Sequence, residues 1–248
     1  MKKITLIACA AVLAGLLVSC NNGTKDYNDV TKSTTEYEYL VTGTVEIVTD
    51  HTEKTFDKDN KQTNGSSYNY TKTYTIESTP GFVNFGSNEA WSGNYDGYNL
   101  KAVGLTGYYE QKGNSGTYWD GTKEKDYTAA ELKSRYEVEK TDDPINLNSY
   151  PANFGSSELY VYLYKIDGEF KVETNAATFD ATVDEDAISA GESFTVSYTI
   201  VDDDSSYSNT YTDYDADGKP VTTAASGTYS TSTTNKVTKT YTLKFSAK

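Results

Sequence analysis

Asp213, Asp215, Asp217 and Gly218, in the run DYDADG, stand at the spacing with which alternate carboxylates converge on one hard cation while glycine makes the sharp turn. In a loop of about twelve residues counted from Asp213, the closing position, where a bidentate carboxylate would complete the cage, is Ala224. No helical pattern flanks the run. The expectation is therefore at most a weak calcium site in a β-loop, helped by Asp202, Asp203 and Asp204; the alternative is a solvated acidic hairpin turn. Catalytic chemistry has little to work with. The single histidine, His51, sits in the polar stretch TDHTEK, where a strand edge or turn is expected, and nothing in the sequence builds a nucleophile and base around it. The 36 acidic residues always offer carboxylate pairs, yet no motif singles one out for glycoside hydrolysis, and the glycine patterns of phosphate loops and dinucleotide sites are missing.

The other chemically suggestive stretch is aromatic. Residues 81–121 hold nine of the 18 glycines, both tryptophans (Trp91 and Trp119), and Phe82, Phe85, Tyr95, Tyr98, Tyr108, Tyr109 and Tyr118, interleaved with Ser and Asn. Rigid amphipathic rings beside small residues give contact area at low entropic cost, and flat ring faces suit sugars. The expectation is a binding surface made by Trp91, Tyr95, Tyr98, Tyr108, Tyr109, Tyr118 and Trp119. The competing reading is that these rings line the core of a protein poor in Leu and Met.

The elements that would position such a surface follow from composition. Of 248 residues, 36% are apolar and 23% charged, with 22 Lys+Arg against 36 Asp+Glu and a formal charge of −14. A domain-sized core is feasible at this length, and the apolar content argues against a polytopic membrane protein. Nucleic acid is not an expected partner, because phosphate contacts need clustered cations and the chain has one arginine, Arg135. Met1, Lys2 and Lys3 precede an uncharged, mostly apolar run from Ile4 to Val18, the charged and hydrophobic regions of an export signal. That run ends in Leu17, Val18, Ser19 and Cys20. Over residues 1–20 the register of charge, apolar length, small residue and cysteine resembles the lipobox of bacterial lipoprotein precursors. The resemblance implies a signal peptide over 1–19, a diacylglyceryl thioether on Cys20 as the new N-terminus, and the membrane as a partner through that lipid. Asn21, where an Asp would mark retention in the inner membrane, implies an outer or surface membrane. With Cys9 removed and Cys20 acylated, one histidine remains, and neither a disulfide nor a zinc set can be built.

From 20 to 35 the chain has no apolar period and reads as a flexible tether of about 20 Å root-mean-square span. Residues 36–248 read as one all-β domain, with a subdivision near 175–190 left open. The 23 Tyr and 36 Thr suit pleated surfaces, and alternation is explicit at Tyr37, Tyr39, Val41, Val45, Ile47, at Tyr70, Tyr74, Ile76, at Phe194 to Ile200 and at Val237 to Phe245. Leu159 to Ile166, apolar or aromatic throughout, predicts the most buried strand, in the middle of a sheet. Thr128 with Glu131 predicts a capping box and at most one short helix near 128–138. Two similarities, NFGSNE at 84–89 with NFGSSE at 153–158, and FDKDNK at 56–61 with YDADGK at 214–219, recur in mirrored order and predict hairpins rather than a tandem repeat, with Asp96-Gly97 and Asp167-Gly168 as turns. The predicted fold is an antiparallel β-sandwich or barrel of roughly eight to twelve strands.

Together these readings predict a non-enzymatic, membrane-anchored lipoprotein, at the outer membrane or cell surface, that binds a glycan or protein partner through the aromatic Gly-rich segment. The alternatives are a lipocalin-like carrier of a small apolar ligand, which needs a cavity, and a passive envelope component. The anchor has a direct check: Cys20→Ala should move the protein to the soluble fraction and abolish labelling by a fatty-acid analogue, and retention of both label and membrane would refute the assignment.

Overall fold

The computed structural model describes residues 36–90, 93–174, 177–211, 217–219 and 229–248. Cys20 and the segments read as signal and tether lie outside the described residues, as do Trp91, Asp213 and Asp215. The Tyr-, Thr- and Val-rich stretches form eleven strands: β1 (Glu36–Phe56), β2 (Gln62–Ala90), β3 (Gly93–Val103), β4 (Thr106–Trp119), β5 (Glu124–Asp126), β6 (Ile145–Asn146), β7 (Glu158–Ile166), β8 (Glu169–Thr174), β9 (Ala177–Val183), β10 (Phe194–Tyr211) and β11 (Tyr229–Ala247). All pair antiparallel in one sheet, and eight of them close in the order β1, β11, β10, β9, β8, β7, β3, β2 and back to β1. The choice between sandwich and barrel thus resolves as an eight-stranded barrel with three additional strands.

The ring uses only part of its longest strands. β1 pairs with β2 from Glu36 to Phe56 and with β11 from Tyr39 to Phe56. β2 pairs with β3 over Gly81 to Ala90 but with β4 over Ser66 to Ile76. β10 follows β11 to Tyr211 while meeting β9 only over Val196 to Tyr198. One end of these strands therefore lies in the barrel wall, and the other runs on as an open sheet in the order β10, β11, β1, β2, β4, β5.

Strand alternation fills the lumen with rings and branched chains. Tyr39 stands edge-on to Phe194 and Phe245, at 5.5 and 5.8 Å between ring centres, and those two stack at 4.9 Å. A second layer stacks Tyr198 on Tyr241 at 4.5 Å, and Val45, Val196, Leu100, Leu163 and Leu243 close the spaces around them. Two irregular segments pack on this core. Helix α1 (Ala129–Tyr136) lies against β4, whereas α2 (Glu185–Ala190) buries Ile188 in the core and ties Ser189 Oγ to Tyr98 Oη at 2.8 Å. The connection between β6 and β7 buries Leu147 and Ala152, with Tyr74 Oη donating to the Ala152 carbonyl at 2.9 Å.

The capping box is present at α1: Thr128 Oγ1 accepts from the Glu131 amide, and the Glu131 carboxylate accepts from the Thr128 amide. The sequence reading did not anticipate α2. It is held by an Asp184 N-cap and a left-handed Gly191 C-cap, with one buried residue, which is too little pattern to show a helical period. The β1–β2 hairpin and the Asp167-Gly168 turn form as predicted, the last with both residues at positive φ; β10 and β11 pair antiparallel, and most of the turn expected at 214–219 lies outside the described residues. Asp96-Gly97 is instead inside β3, paired with Ser87 and Gly86, because a Cβ at 97 would strike the Leu163 carbonyl; glycine here permits close strand approach. The twin hexapeptides also part company: 84–89 is strand, whereas in 153–158 Asn153 and Gly155 take positive φ in a loop. β7 lies within the sheet between β3 and β8, with Leu159, Val161 and Leu163 pointing in; its outer face is fully buried only at Tyr164, and Tyr160 is 59% exposed.

Two measurements check this packing. Leu163→Ala should cost about 2–5 kcal/mol in denaturant unfolding and Tyr160→Ala, on the same strand, under about 1 kcal/mol; equal costs would contradict the inward-outward assignment. The buried phenols give a second. Desolvation pushes Tyr39 up to about 12 and Tyr241 up to about 12, the latter also through the nearby Asp202 carboxylate, and raises Tyr74 and Tyr198. Above the ordinary phenol value of about 10 the unfolded chain releases protons that the folded chain holds, so the contribution of these phenols to stability should be constant below that pH and fall as it rises towards 12. Ultraviolet phenolate absorbance should appear together with unfolding, and smooth titration of the core tyrosines in a folded protein would contradict it.

Candidate functional site

The barrel's inward face does not stop where the ring ends. The cross-strand layer Tyr198, Tyr241, Val45, Tyr74 and Tyr109 is still core. Further along the same face, past Lys72 beside Ile47 and Gln111, come Tyr70 beside Thr49 and Gly113, then Tyr68 beside His51 and Gly116, then Tyr118 beside Ser66. The apolar lining thus passes into a row of half-buried rings. Tyr68 stacks on His51 at 4.7 Å and on Tyr70 at 5.9 Å.

Gly113 and Gly116 let this row acquire a second tier. A Cβ on Gly113 would come within 3.1 Å of the Tyr136 Cβ and 3.2 Å of the Leu132 carbonyl of α1; one on Gly116 would meet the Tyr127 ring at 2.9 Å. Without side chains there, Tyr136 leans against Tyr68 and Tyr70 at 5.9 and 6.0 Å, and Tyr127 stacks on Tyr118 at 5.1 Å. A bulge opposite Asn69 and Tyr70 inserts Asn114, which explains how Tyr109 and Tyr118, of opposite parity, share one face. The Asn114 amide fixes the bulge by donating to Asn69 Oδ1 at 2.7 Å and Thr71 Oγ1 at 2.9 Å.

Polar groups frame the rings. Asn235 Oδ1 lies 2.5 Å from His51 Nδ1; an amide oxygen only accepts, so Nδ1–H donates to it. Arg135 sits over Tyr127 at 4.8 Å and Lys72 over Tyr70 at 5.9 Å, placing cations on the outer ring faces. Gln111 links the tiers by accepting from Tyr109 Oη at 3.0 Å and donating to the Tyr136 carbonyl at 2.6 Å. Partial desolvation raises the phenols of Tyr68 and Tyr136, each further raised by neighbouring tyrosines. Hydroxyls, ring edges and flanking cations make a surface suited to a polyhydroxylated ligand.

The residues expected from the sequence do not form one cluster. Tyr109 is core, 5.1 Å from Tyr74. Tyr98 packs on Phe85 at 5.3 Å beside α2, at the other end of the barrel. Tyr108 lies on the outer face under Lys140, 4.5 Å from its ring. Tyr118 joins the row and Trp119 is half-buried at the end of β4, opposite Glu124. Tyr95 pairs with Asn88 in the β2–β3 hairpin, and Trp91 lies outside the described residues. Of Asp213, Asp215 and Asp217, only Asp217 is described, in a turn with Gly218, while Asp202, Asp203 and Asp204 lie in β10. Among the described residues the segment 81–121 is mostly strand; Gly81, Gly97, Gly107, Gly113 and Gly116 sit where a Cβ would meet a neighbour, whereas Gly104 and Gly121 take positive φ in open space.

His51, Tyr68, Tyr70, Tyr127 and Tyr136 were not expected at a site. The available signal was Tyr68, Tyr70, Lys72, Tyr74 and Ile76, one strand face that passes from ring to apolar core. No protein-family model and no curated protein sequence matches the chain.

Proposed function

We propose that this chain is a lipid-anchored, non-enzymatic bacterial envelope lipoprotein, held at the outer membrane or cell surface through Cys20, that binds a glycan on the tyrosine row of its open sheet. One observation carries the reading: the face that is packed shut inside the barrel continues, on the same strands, as half-exposed Tyr68, Tyr70 and His51 with Tyr118, Tyr127 and Tyr136 beside them. A purely structural role would not need rings whose hydroxyls and edges reach the surface. The strand count invites comparison with a lipocalin-like carrier, but Tyr39, Phe194, Phe245, Tyr198 and Tyr241 occupy the space an apolar ligand would take.

A glycan array with the full chain, followed by calorimetry on the strongest hit, tests the reading. Tyr68→Ala and Tyr70→Ala should each weaken binding about tenfold, equivalent to about 1.4 kcal/mol, while the melting temperature shifts little. Unchanged affinity in both variants, or binding lost only with the fold, would reject it.

A further inference from the structure

The open sheet has two edges, and the fold treats them differently. Along β4 the edge is covered: β5 pairs with Thr117 to Trp119, Val138 bridges to Gln111, β6 pairs with Thr106 and Gly107, and α1 packs alongside. Along β10 the last partner, β9, leaves after Tyr198, and among the described residues no strand follows it. The backbone from Thr199 to Tyr211 therefore presents about 40 Å of edge. On this stretch Ile200 is buried, whereas Val201 is 41% and Tyr207 50% exposed.

Edges of this length are normally blunted by lysine, proline or inward charge. Residues 199–211 contain neither Lys nor Pro; they carry Asp202, Asp203 and Asp204 and one bulge between Val201 and Asp203. Lys239 pairs with Asp202 at 2.9 Å, and no ion pair among the described residues engages Asp203 or Asp204. Where β9 diverges, a shallow cleft of about 520 Å³ opens at the start of the edge, lined mostly by threonines and Ser197 with Phe179 and Tyr198. Asp180, which Lys171 engages, also lines it.

We propose that the β10 edge takes up an extended Lys- or Arg-bearing segment of a partner protein as an added strand. Backbone hydrogen bonds supply affinity without regard to sequence, and the three carboxylates select a basic strand over an acidic one. A second copy of this chain is a poor occupant, since each brings a charge of −14 and the same acidic edge.

The test uses the full chain and a fluorescent synthetic decapeptide alternating Lys with Val and Thr. Two controls accompany it: the same sequence methylated on alternate backbone nitrogens, which keeps the charge but cannot pair, and a version with Glu for Lys. The parent peptide should bind saturably, slow hydrogen exchange at amides within 199–211, and bind at least tenfold more tightly than either control. A chain carrying Asp204→Lys and Ser206→Lys, both exposed positions, should lose at least tenfold with its melting temperature unchanged. Equal binding of the methylated peptide, protection elsewhere, or a peptide-free dimer paired through β10 would overturn the proposal.

Discussion

Barrel closure depends on β2 serving two neighbours in succession. Opposite β1 it is continuous, but on its other side it gives up β4 after Ile76 and takes β3 from Gly81. The transfer happens across Glu77 to Pro80, where Ser78 adopts positive φ and the register with β1 slips between Val41 and Gly43. Gly43 is required there: a Cβ would collide with the Thr242 carbonyl of β11, so only glycine lets β1 stay clamped between β2 and β11 while the sheet curls. On one side of the transfer the strands form a ring; on the other they cannot close, because β4 and β10 diverge. Both the tyrosine row and the free edge follow from that divergence.

Tyrosine suits both halves. Inside, its ring fills volume and its hydroxyl costs little where a carbonyl is in reach, as at Tyr74 with Ala152. Tyr39 is the exception, with a fully buried hydroxyl that finds no partner, a desolvation cost carried by its edge-on contacts with Phe194 and Phe245. Outside, the same residue tolerates water without becoming a sticky patch. The surface ion pairs, such as Lys101 with Glu158 and Lys133 with Glu137, are exposed and contribute little individually.

Much of the fold was legible because period-two patterns and turn chemistry are local. The alternation at Tyr37 to Ile47 and Phe194 to Ile200 gave the inward faces correctly, and Thr128 with Glu131 gave α1. What misled was composition read without geometry. Gly97, Gly113 and Gly116 signalled adaptable loops, yet each marks a place where backbone or ring comes too close for a Cβ, a fact set by partners distant in sequence. The site was displaced for the same reason. Tyr136 reaches Tyr68 only through α1 folding over β4, and the Asn114 bulge reverses the parity that a strand pattern alone would assign to Tyr118.

The central claim is that the rings of the open sheet, not those of the lumen, face a ligand. Tyrosine-ring resonances of the labelled full chain, followed during titration with the soluble oligosaccharide that binds it most tightly, test this directly. The account predicts shifts at Tyr68, Tyr70, Tyr118, Tyr127 and Tyr136 with Tyr39, Tyr198 and Tyr241 unmoved. Shifts confined to Tyr39, Tyr198 and Tyr241 would place the ligand inside the barrel and contradict it.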